Sequence, residues 1–261
     1  MRFALLLVGL AVFTPAPQSA DPKSESRPDA RVAPYAELLE LPAPAKGFRR
    51  VYVVRHGQSV GNASPDDSKL TDAEKDHLTE KGRAQAVTMG EILKELHVSV
   101  LYVSPMQRAQ ETAIAIGGCY PRQSPPRIVT QDEWRGLTIG KPTKPATDAF
   151  AELAAAWREG KDPLLDGGET LAALTDRLQR RTREIAAEDI ANPPPIAIVA
   201  HSEVVSAWLV ELDAALLPKF LASSRIPNGS VAAFDVQQGA ALHVKRLGLF
   251  APDEKPASQP K

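Results

Sequence analysis

A single cysteine, Cys119, is present among 261 residues, so the chain forms no intrachain disulfide and must reach a stable fold without one. Charge of one sign is not in excess either, because 31 Lys and Arg residues face 32 Asp and Glu residues and leave a formal net charge of -1. With no long basic run, the sequence predicts neither nucleic acid nor an anionic membrane as a partner, and any affinity for anions must be local. Aromatic residues are scarce at 5%, but 43% of the residues are hydrophobic, which is enough for a sizeable core.

The one long apolar run near the start of the chain, Phe3 to Phe13, is too short to span a bilayer. Arg2 precedes it, and a polar segment that ends in Ser19-Ala20 follows, which is the arrangement of a secretory signal. The sequence therefore predicts a signal peptide over residues 1–20, a secreted or periplasmic location, and no stable membrane association after cleavage. An uncleaved anchor or a buried helix is the alternative, because Gln18 is a poor residue two positions before the cleavage point.

Composition divides the rest of the chain into a folded part and two tails. Residues 21–46 are rich in Pro, Ser, Ala and charge, and residues 251–261 repeat that character. Such segments bury little apolar surface, so we predict a linker over 21–46 and a flexible tail over 251–261. The folded domain is predicted over 47–250.

Within that domain, apolar runs with strand character alternate with helical patterns. The predicted strands Val51–Val54, Val98–Val103 and Ile196–Ala200 are each followed by a helix, the first of these helices beginning after Thr79 as N-cap. Two later runs are predicted to close the sheet as a hairpin around Gly239. This order predicts an α/β fold, a three-layer α/β/α sandwich with a mainly parallel central sheet.

The most informative motif is Arg55-His56-Gly57, which the first of these strands delivers into a turn. Gly57 suits a tight turn at the carboxyl end of a buried strand. In open α/β sheets ligands bind at that end. His56 is therefore the first candidate for chemistry, although the tripeptide alone is also compatible with a surface arginine beside a solvated histidine.

The second motif follows the next strand, where Ser104-Pro105 opens a helix and Arg108 lies one turn in. Ser104 suits the helix cap and Pro105 the first turn. If the two strands are neighbours, Arg108 points toward His56, and two guanidinium groups converge on one anion. A guanidinium holds phosphate oxygens bidentately and stays charged at every relevant pH. The alternative is an exposed helix arginine paired with Glu111.

The third motif is His201, which follows the strand Ile196–Ala200. A lone histidine is more often structural than catalytic, but His56 and His201 occupy equivalent strand ends. Two independent structural explanations are less economical than one shared site. The remaining histidines, His77, His97 and His243, have no such context.

Six segments, taken in order, resemble the histidine phosphatase superfamily, the phosphoglycerate-mutase-like fold, in its branch of mutases and small phosphatases. The first three are Arg55-His56-Gly57-Gln58-Ser59 with Asn62, Leu78 to Ala86, and Ser104 to Ala109. The other three are Gly167-Gly168-Glu169-Thr170 with Arg177, His201 with its strand, and Asn228-Gly229-Ser230. The resemblance runs through most of the predicted domain and implies the phosphoglycerate-mutase-like fold.

The resemblance implies that His56 accepts a phosphoryl group from a small-molecule phosphoester and releases it to water. Arg55, Arg108 and His201 would then act as donors to the phosphate oxygens, with neither metal nor cofactor required. Further phosphate contacts are expected from three polar residues near these motifs: Asn62, Gln58 and Ser202.

A general acid must protonate the leaving oxygen, and the resemblance implies Glu133 for that role. The interval between Glu133 and the next glycine is shorter than in the family pattern. Asp132, next to it, and Glu203, two residues after the second histidine, are therefore rival candidates.

Three functions remain open from the sequence. An exported phosphomonoesterase accounts for the complete catalytic set and the signal-like start. A phosphoglycerate-mutase-type phosphotransferase is the second, and a catalytically silent module that binds a phosphorylated ligand is the third. The sequence does not choose a substrate, because the segment predicted to cover the site, 138–166, carries no specific motif.

Overall fold

The computed structural model describes residues 32–64, 69–140, 146–164, 167–188, 193–239 and 242–252. The predicted signal peptide over 1–20, the first part of the predicted linker, and the predicted tail from residue 253 onward lie outside the described residues. None of the helices in the described ranges is long and apolar enough to cross a membrane.

Seven strands in these ranges form one sheet: β1 Val32–Pro34, β2 Phe48–Arg55, β3 Val100–Val103, β4 Arg127–Thr130, β5 Ile196–Ala200, β6 Val231–Gln237 and β7 Val244–Ala251. The helices of the same ranges are α1 Tyr35–Leu39, α2 Val60–Ala63, α3 Asp72–Lys75, α4 Glu80–Glu95, α5 Gln107–Gly117, α6 Ala146–Arg158, α7 Leu171–Ala186, α8 Ser202–Leu209 and α9 Leu217–Ser223. A short 3-10 helix, Asp132–Trp134, follows β4.

The strand order is β1-β7-β6-β2-β5-β3-β4. β2, β5, β3 and β4 pair in parallel, and β1 is parallel to β7. β6 is antiparallel to both of its neighbours, β2 and β7. Six of the seven described strands therefore run in one direction, which confirms the predicted mainly parallel sheet, and the predicted closing hairpin corresponds to β6 and β7.

Helices cover both faces of the sheet because side chains alternate along each buried strand. In β2, Tyr52 and Val54 pack in one core cluster with α1, α4 and α5. Val51 and Val53 pack in the other with α6, α7, α8 and α9. This arrangement is the predicted three-layer α/β/α sandwich. Its consequence for function is that β2, β3 and β5 end at one edge of the sheet, each in front of a loop or helix.

Local capping matches the sequence at one helix and differs at another. Thr79 caps α4 and accepts a hydrogen bond from Gly82 N at 3.0 Å, as predicted. α5 begins at Gln107 with Met106 at the N-cap position, two residues later than the predicted cap Ser104. Ser104 is instead fully buried at the end of β3. Its hydroxyl points toward the site described below.

The predicted linker over 21–46 is wrong for its described part. Val32–Pro34 forms β1, which pairs with β7 at the edge of the sheet, and Tyr35–Leu39 forms α1. Tyr35 and Leu38 are buried in the core with α4 and α5. Tyr35 and Leu38 are apolar residues at helical spacing within a segment whose overall composition is rich in Pro and charge. Composition alone therefore did not indicate that the folded part begins before Gly47.

The turn after His56 and the first turn of α4 lie against each other, and two glycines permit this. A Cβ added to Gly82 would lie 2.0 Å from the carbonyl oxygen of Gln58, and one added to Gly57 would lie 2.2 Å from the carbonyl oxygen of Gly82. Both distances are far below van der Waals contact, and the atoms they meet belong to the backbone. α4 is thus fixed against the turn that carries His56.

We expect Gly82→Ala to lower the free energy of unfolding by roughly 1–3 kcal/mol, because the added methyl must separate two backbone segments. Alanine ordinarily stabilises a helix by about 1 kcal/mol relative to glycine, so the sign of the change is informative. Gly117→Ala in α5 is the matched control, since a Cβ there would meet only Ile128 Cδ1, at 3.6 Å. Urea unfolding of both variants tests the prediction, and equal stability of the two would contradict it.

Candidate active site

Two histidines meet where β2 and β5 end. His56 follows β2 and His201 follows β5, and the amide of His56 donates to the carbonyl of Ala200 at 3.0 Å. The two rings lie with centroids 5.2 Å apart and an interplanar angle of 61°. Both are buried, with 3% and 2% of their surface exposed. The shared edge of parallel strands thus brings together the two histidines that the sequence singled out.

Hydrogen bonds assign one tautomer to His56. Its Nδ1 lies 2.7 Å from the carbonyl oxygen of Gly57, an acceptor, so Nδ1 carries the proton. Nε2 lies 3.1 Å from Nε of Arg108, a permanent donor, so Nε2 presents its lone pair. The imidazole is neutral, and its nucleophilic nitrogen faces an arginine.

Burial and neighbouring positive charge keep both imidazoles neutral. Burial lowers the pKa of His56 well below its ordinary value of 6.5, and the charges of Arg108 and Arg55 lower it further. The pKa of His201 is also well below 6.5, first because of burial and then because of His56 and the surrounding arginines. A buried imidazolium beside guanidinium groups is unfavourable on both counts.

Arg108 is held in place from three directions. Besides its contact with His56, Nη1 forms an ion pair with Asp76, and Nη2 lies 3.3 Å from Sδ of Met106. Asp76 also accepts from the amide of Gln107 at 2.8 Å. The alternative pairing of Arg108 with Glu111 does not occur.

Glu111 has partners of its own instead. It binds Nδ1 of His77 at 2.6 Å and accepts from the amide of Leu78 at 2.8 Å. The sequence singled out neither Asp76 nor this role of Glu111. Asp76 follows α3, 32 residues before its partner Arg108, and no local periodicity connects the two.

Arg55 supplies the second guanidinium. Its Nη1 donates to the carbonyl oxygen of Ile226, and its Nε is buried with no hydrogen-bond partner among the described residues. Burial lowers the pKa of Arg55, the nearby Glu203 opposes this, and Arg108 lowers it again. The positive charges of Arg55 and Arg108 thus act on each other at the site.

His201 is oriented by a serine that sequence reasoning assigned to a helix cap. Its Nε2 lies 2.7 Å from Oγ of Ser104, and its Nδ1 is buried without a hydrogen-bond partner in the described part of the chain. Buried polar atoms are ordinarily satisfied, so Nδ1 of His201 and Nε of Arg55 are the atoms available for a ligand. The position of Ser104 after β3, a neighbour of β5, is the signal that could have revealed the contact.

The three polar residues predicted to assist have different surroundings. Asn62 accepts from Asn228 Nδ2 at 2.9 Å, and Asn228 also donates to the carbonyl of His56 at 3.3 Å. Asn62 is thus connected to the nucleophile turn. Gln58 accepts from the hydroxyl of Thr79 at 3.0 Å and so lies toward α4.

Ser202 donates from its hydroxyl to Oε1 of Glu203 at 3.1 Å, so its described contact is with a carboxylate. Among the described residues, no group of three or more His, Cys, Asp or Glu side chains is placed to share a metal ion.

The three candidate acids are not equivalent. Glu203 lies beside the site, because a Cβ at Gly136 would be 3.3 Å from Cγ of His201 and 3.5 Å from Oε2 of Glu203. Glu133 is half-buried in the 3-10 helix after β4, and its carboxylate has no hydrogen bond or ion pair with the described residues. Asp132 is exposed.

A buried ion pair supports the loop that carries Glu133. Arg177 holds Glu169 through two contacts, Nε to Oε1 at 2.9 Å and Nη2 to Oε2 at 2.7 Å. Nη1 of Arg177 donates to the carbonyl oxygens of Glu133, at 2.5 Å, and Arg135, at 3.1 Å. The segment that contains Glu169 and Arg177 is one of the six that resemble the family. It thus has a structural role behind the site.

Comparison with known proteins identifies relatives of this chain. The chain is 32% identical over 184 residues to a glucosyl-3-phosphoglycerate phosphatase of Mycobacterium tuberculosis. The aligned region covers 65% of this chain and 75% of that protein. It is 28% identical over 215 residues to a 2,3-bisphosphoglycerate-dependent phosphoglycerate mutase 2 of Gloeobacter violaceus, covering 78% of this chain and 95% of that protein.

The fold is similar to that of a solved mycobacterial glucosyl-3-phosphoglycerate phosphatase complexed with VO3. The TM-score is 0.60 at 25% identity, with 76% of this chain and 97% of that chain covered. The model of the histidine phosphatase superfamily (branch 1) matches residues 51–247, a range that contains every catalytic residue predicted from the sequence. The chain therefore belongs to the histidine phosphatase superfamily, whose relatives named above are phosphatases and phosphoglycerate mutases.

Proposed function

We propose that this protein is a phosphomonoesterase in which Nε2 of His56 accepts the phosphoryl group and passes it to water. The observation that carries the proposal is the state of His56: Nδ1 is bound to the Gly57 carbonyl, so Nε2 has its lone pair toward Arg108. Imidazole attacks only when neutral. The lowered pKa of His56 keeps it so near neutral pH.

In the first step the Nε2–P bond forms as the bond between phosphorus and the ester oxygen breaks, and that oxygen takes a proton from the general acid. The Nε–H of Arg108 then turns from Nε2 to a phosphate oxygen. Nε of Arg55 and Nδ1 of His201, both buried without partners among the described residues, gain acceptors at the same moment. In the second step water attacks phosphorus and gives a proton to the carboxylate that acted as the acid, the Nε2–P bond breaks, and inorganic phosphate leaves.

Such a site acts chiefly by positioning and by fixed positive charge around the three phosphate oxygens. Two arginines and a histidine supply these donors, so we propose that the reaction needs no metal ion. The signal-like sequence over residues 1–20 supports a further proposal, that the protein is exported.

The relatives suggest where to look for the substrate. The names of the mycobacterial phosphatase and of the Gloeobacter mutase both contain phosphoglycerate. Phosphoglycerate and glucosyl-3-phosphoglycerate are therefore the first phosphoesters to test.

A mutase is the second candidate, because the Gloeobacter relative is covered over 95% of its length. Interconversion of 2- and 3-phosphoglycerate, faster than release of phosphate, would favour it. A silent binding module is the third, and it is the less supported because Arg55, His56, Arg108 and His201 are all present and brought together.

The first test is hydrolysis of p-nitrophenyl phosphate in the presence of a chelator. We expect turnover by the wild type and its loss in His56→Ala, which removes the nucleophile. His243→Ala is the matched control, because His243 packs edge-on against Phe48 beside β7, outside the site. Equal phosphate release by wild type and His56→Ala would refute the role of His56 as nucleophile. If the chelated wild type were active only after a metal is added, the proposal that the reaction needs no metal ion would be refuted.

The neutral state of the two histidines can be tested without a substrate. Their native pKa values lie well below 6.5, the ordinary value expected in the unfolded chain, so just below pH 6.5 the unfolded state binds more protons. Lowering the pH through this range must therefore destabilise the fold, by up to about 1.4 kcal/mol per pH unit for each histidine.

Glutamine at position 201 cannot take up that proton. We expect the pH dependence of His201→Gln between about pH 6.5 and 5 to be shallower than that of the wild type by up to about 1.4 kcal/mol per pH unit. Urea unfolding across this range measures it, and identical slopes would show that His201 is not held neutral.

The general acid can be identified from its dependence on the leaving group. p-Nitrophenolate leaves without a proton, whereas an alkoxide does not, so loss of the acid should be severe only with an alkyl phosphate such as glycerol phosphate. We expect Glu133→Gln to lower turnover of the alkyl ester by roughly 100- to 10,000-fold and that of p-nitrophenyl phosphate far less.

Asp132→Asn and Glu203→Gln are the matched variants. Glu203 lies beside Gly136 and His201 and acts on the pKa of Arg55. If the leaving-group dependence belongs to Glu203→Gln and not to Glu133→Gln, the assignment of Glu133 is wrong and Glu203 is the acid.

A further inference from the structure

A short N-terminal arm, here β1 and α1 (residues 32–39), precedes the region that the family model matches, 51–247. The arm is docked firmly on the domain. β1 pairs with β7 through Val32 and Leu249, and Leu38 is fully buried in the core cluster of α4 and α5. Such an addition would be expected only to cover a sheet edge, but one of its side chains binds a loop that contacts residues of the site.

That side chain is Tyr35, the first residue of α1. Its hydroxyl donates to the carbonyl oxygen of Gly229, 194 residues further along the chain. Tyr35 is 5% exposed, and Gly229 is buried, so water does not compete for this hydrogen bond. A buried carbonyl without a donor is costly, so the tyrosine determines where this carbonyl rests.

The carbonyl belongs to a loop, residues 226–230, that binds the backbone of both catalytic-motif residues at the end of β2. The amide of Gly229 lies 3.2 Å from the carbonyl oxygens of Arg55 and His56. The amide group of Asn228 binds the same His56 carbonyl and the side chain of Asn62.

The same loop also fixes the side chain of Arg55, which donates to Ile226 O. One loop thus sets the position of the nucleophile, of one guanidinium and of Asn62.

The fit of this loop leaves little freedom. Gly229 has a φ of +76°, the left-handed region, and a Cβ there would lie 3.1 Å from Cβ of Gln85. Gln85 in turn accepts from the amide of Gln58 at 2.8 Å. α4 packs on one side of Gly229 and Tyr35 binds its carbonyl, so a shift of the arm is transmitted to the turn after His56.

We propose that Tyr35 is a positioning residue for the phosphate site, acting through the 226–230 loop. The inference rests on the proposed phosphoryl transfer at His56 and extends it to a residue outside the matched family region. Without the hydroxyl, the Gly229 carbonyl has no other hydrogen-bond donor among the described residues. The loop then relaxes, and His56, Arg55 and Asn62 lose the alignment on which in-line transfer depends.

The test is Tyr35→Phe in the full chain, which keeps the buried ring and removes only the hydroxyl. We expect kcat for p-nitrophenyl phosphate to fall roughly 10- to 100-fold, and the affinity for vanadate, measured by calorimetry, to fall with it. Ile116→Val is the control, because Ile116 is fully buried in the same core cluster but lies on α5, away from the loop. It should lose comparable stability and keep wild-type kcat and vanadate affinity.

Tyr35→Phe with wild-type kcat and vanadate affinity would overturn the inference while leaving the proposed function intact. A wild type that neither hydrolyses any phosphoester nor binds vanadate would instead refute the proposed function, so the two failures are distinguishable. If Tyr35→Phe kinetics changed no more than those of Ile116→Val at matched stability, the role of Tyr35 would be structural only.

A second measurement needs no variant. Coupling between two sites is reciprocal, so vanadate bound at His56 should slow amide hydrogen exchange in the 226–230 loop and also in α1. Slower exchange in the loop with unchanged exchange in α1 would contradict a role for Tyr35, and slower exchange in both would support it.

Discussion

The site depends on keeping one imidazole neutral and in one tautomer while arginines surround it. Burial and the charges of Arg108 and Arg55 together depress the pKa of His56. The Gly57 carbonyl fixes the proton on Nδ1, so the lone pair of Nε2 is the one that faces the phosphate donors. An exposed histidine with the ordinary pKa near 6.5 would be partly protonated near neutral pH, and its protonated fraction could not attack phosphorus.

Concentrated positive charge requires compensation, and the fold supplies a carboxylate for each arginine. Asp76 pairs with Arg108, Glu203 acts on Arg55, and Glu169 holds Arg177 behind the 133–136 loop. These partners serve to orient as much as to neutralise. Asp76 and Glu169 each hold a guanidinium so that part of its donor set still faces His56 or the loop that carries Glu133.

The sheet topology explains how residues so distant in the chain converge. Parallel β2, β5 and β3 end at one edge and deliver His56, His201 and Ser104 there. Antiparallel β6 begins at the same edge, which brings the 226–230 loop beneath the nucleophile. The arm before β2 then reaches that loop from outside the matched family region, through Tyr35.

The sequence by itself determined the strands that carry the motifs, the mainly parallel sheet and the two histidines with their arginines. Apolar runs and strand-end residues are local signals, and parallel strands leave few places for their carboxyl ends. Only the tertiary structure decided the partners: Asp76 for Arg108, Ser104 for His201 and Tyr35 for Gly229. These contacts join residues 32 to 194 positions apart whose composition is that of a turn, a cap and a linker, and no local pattern encodes which buried polar group meets which.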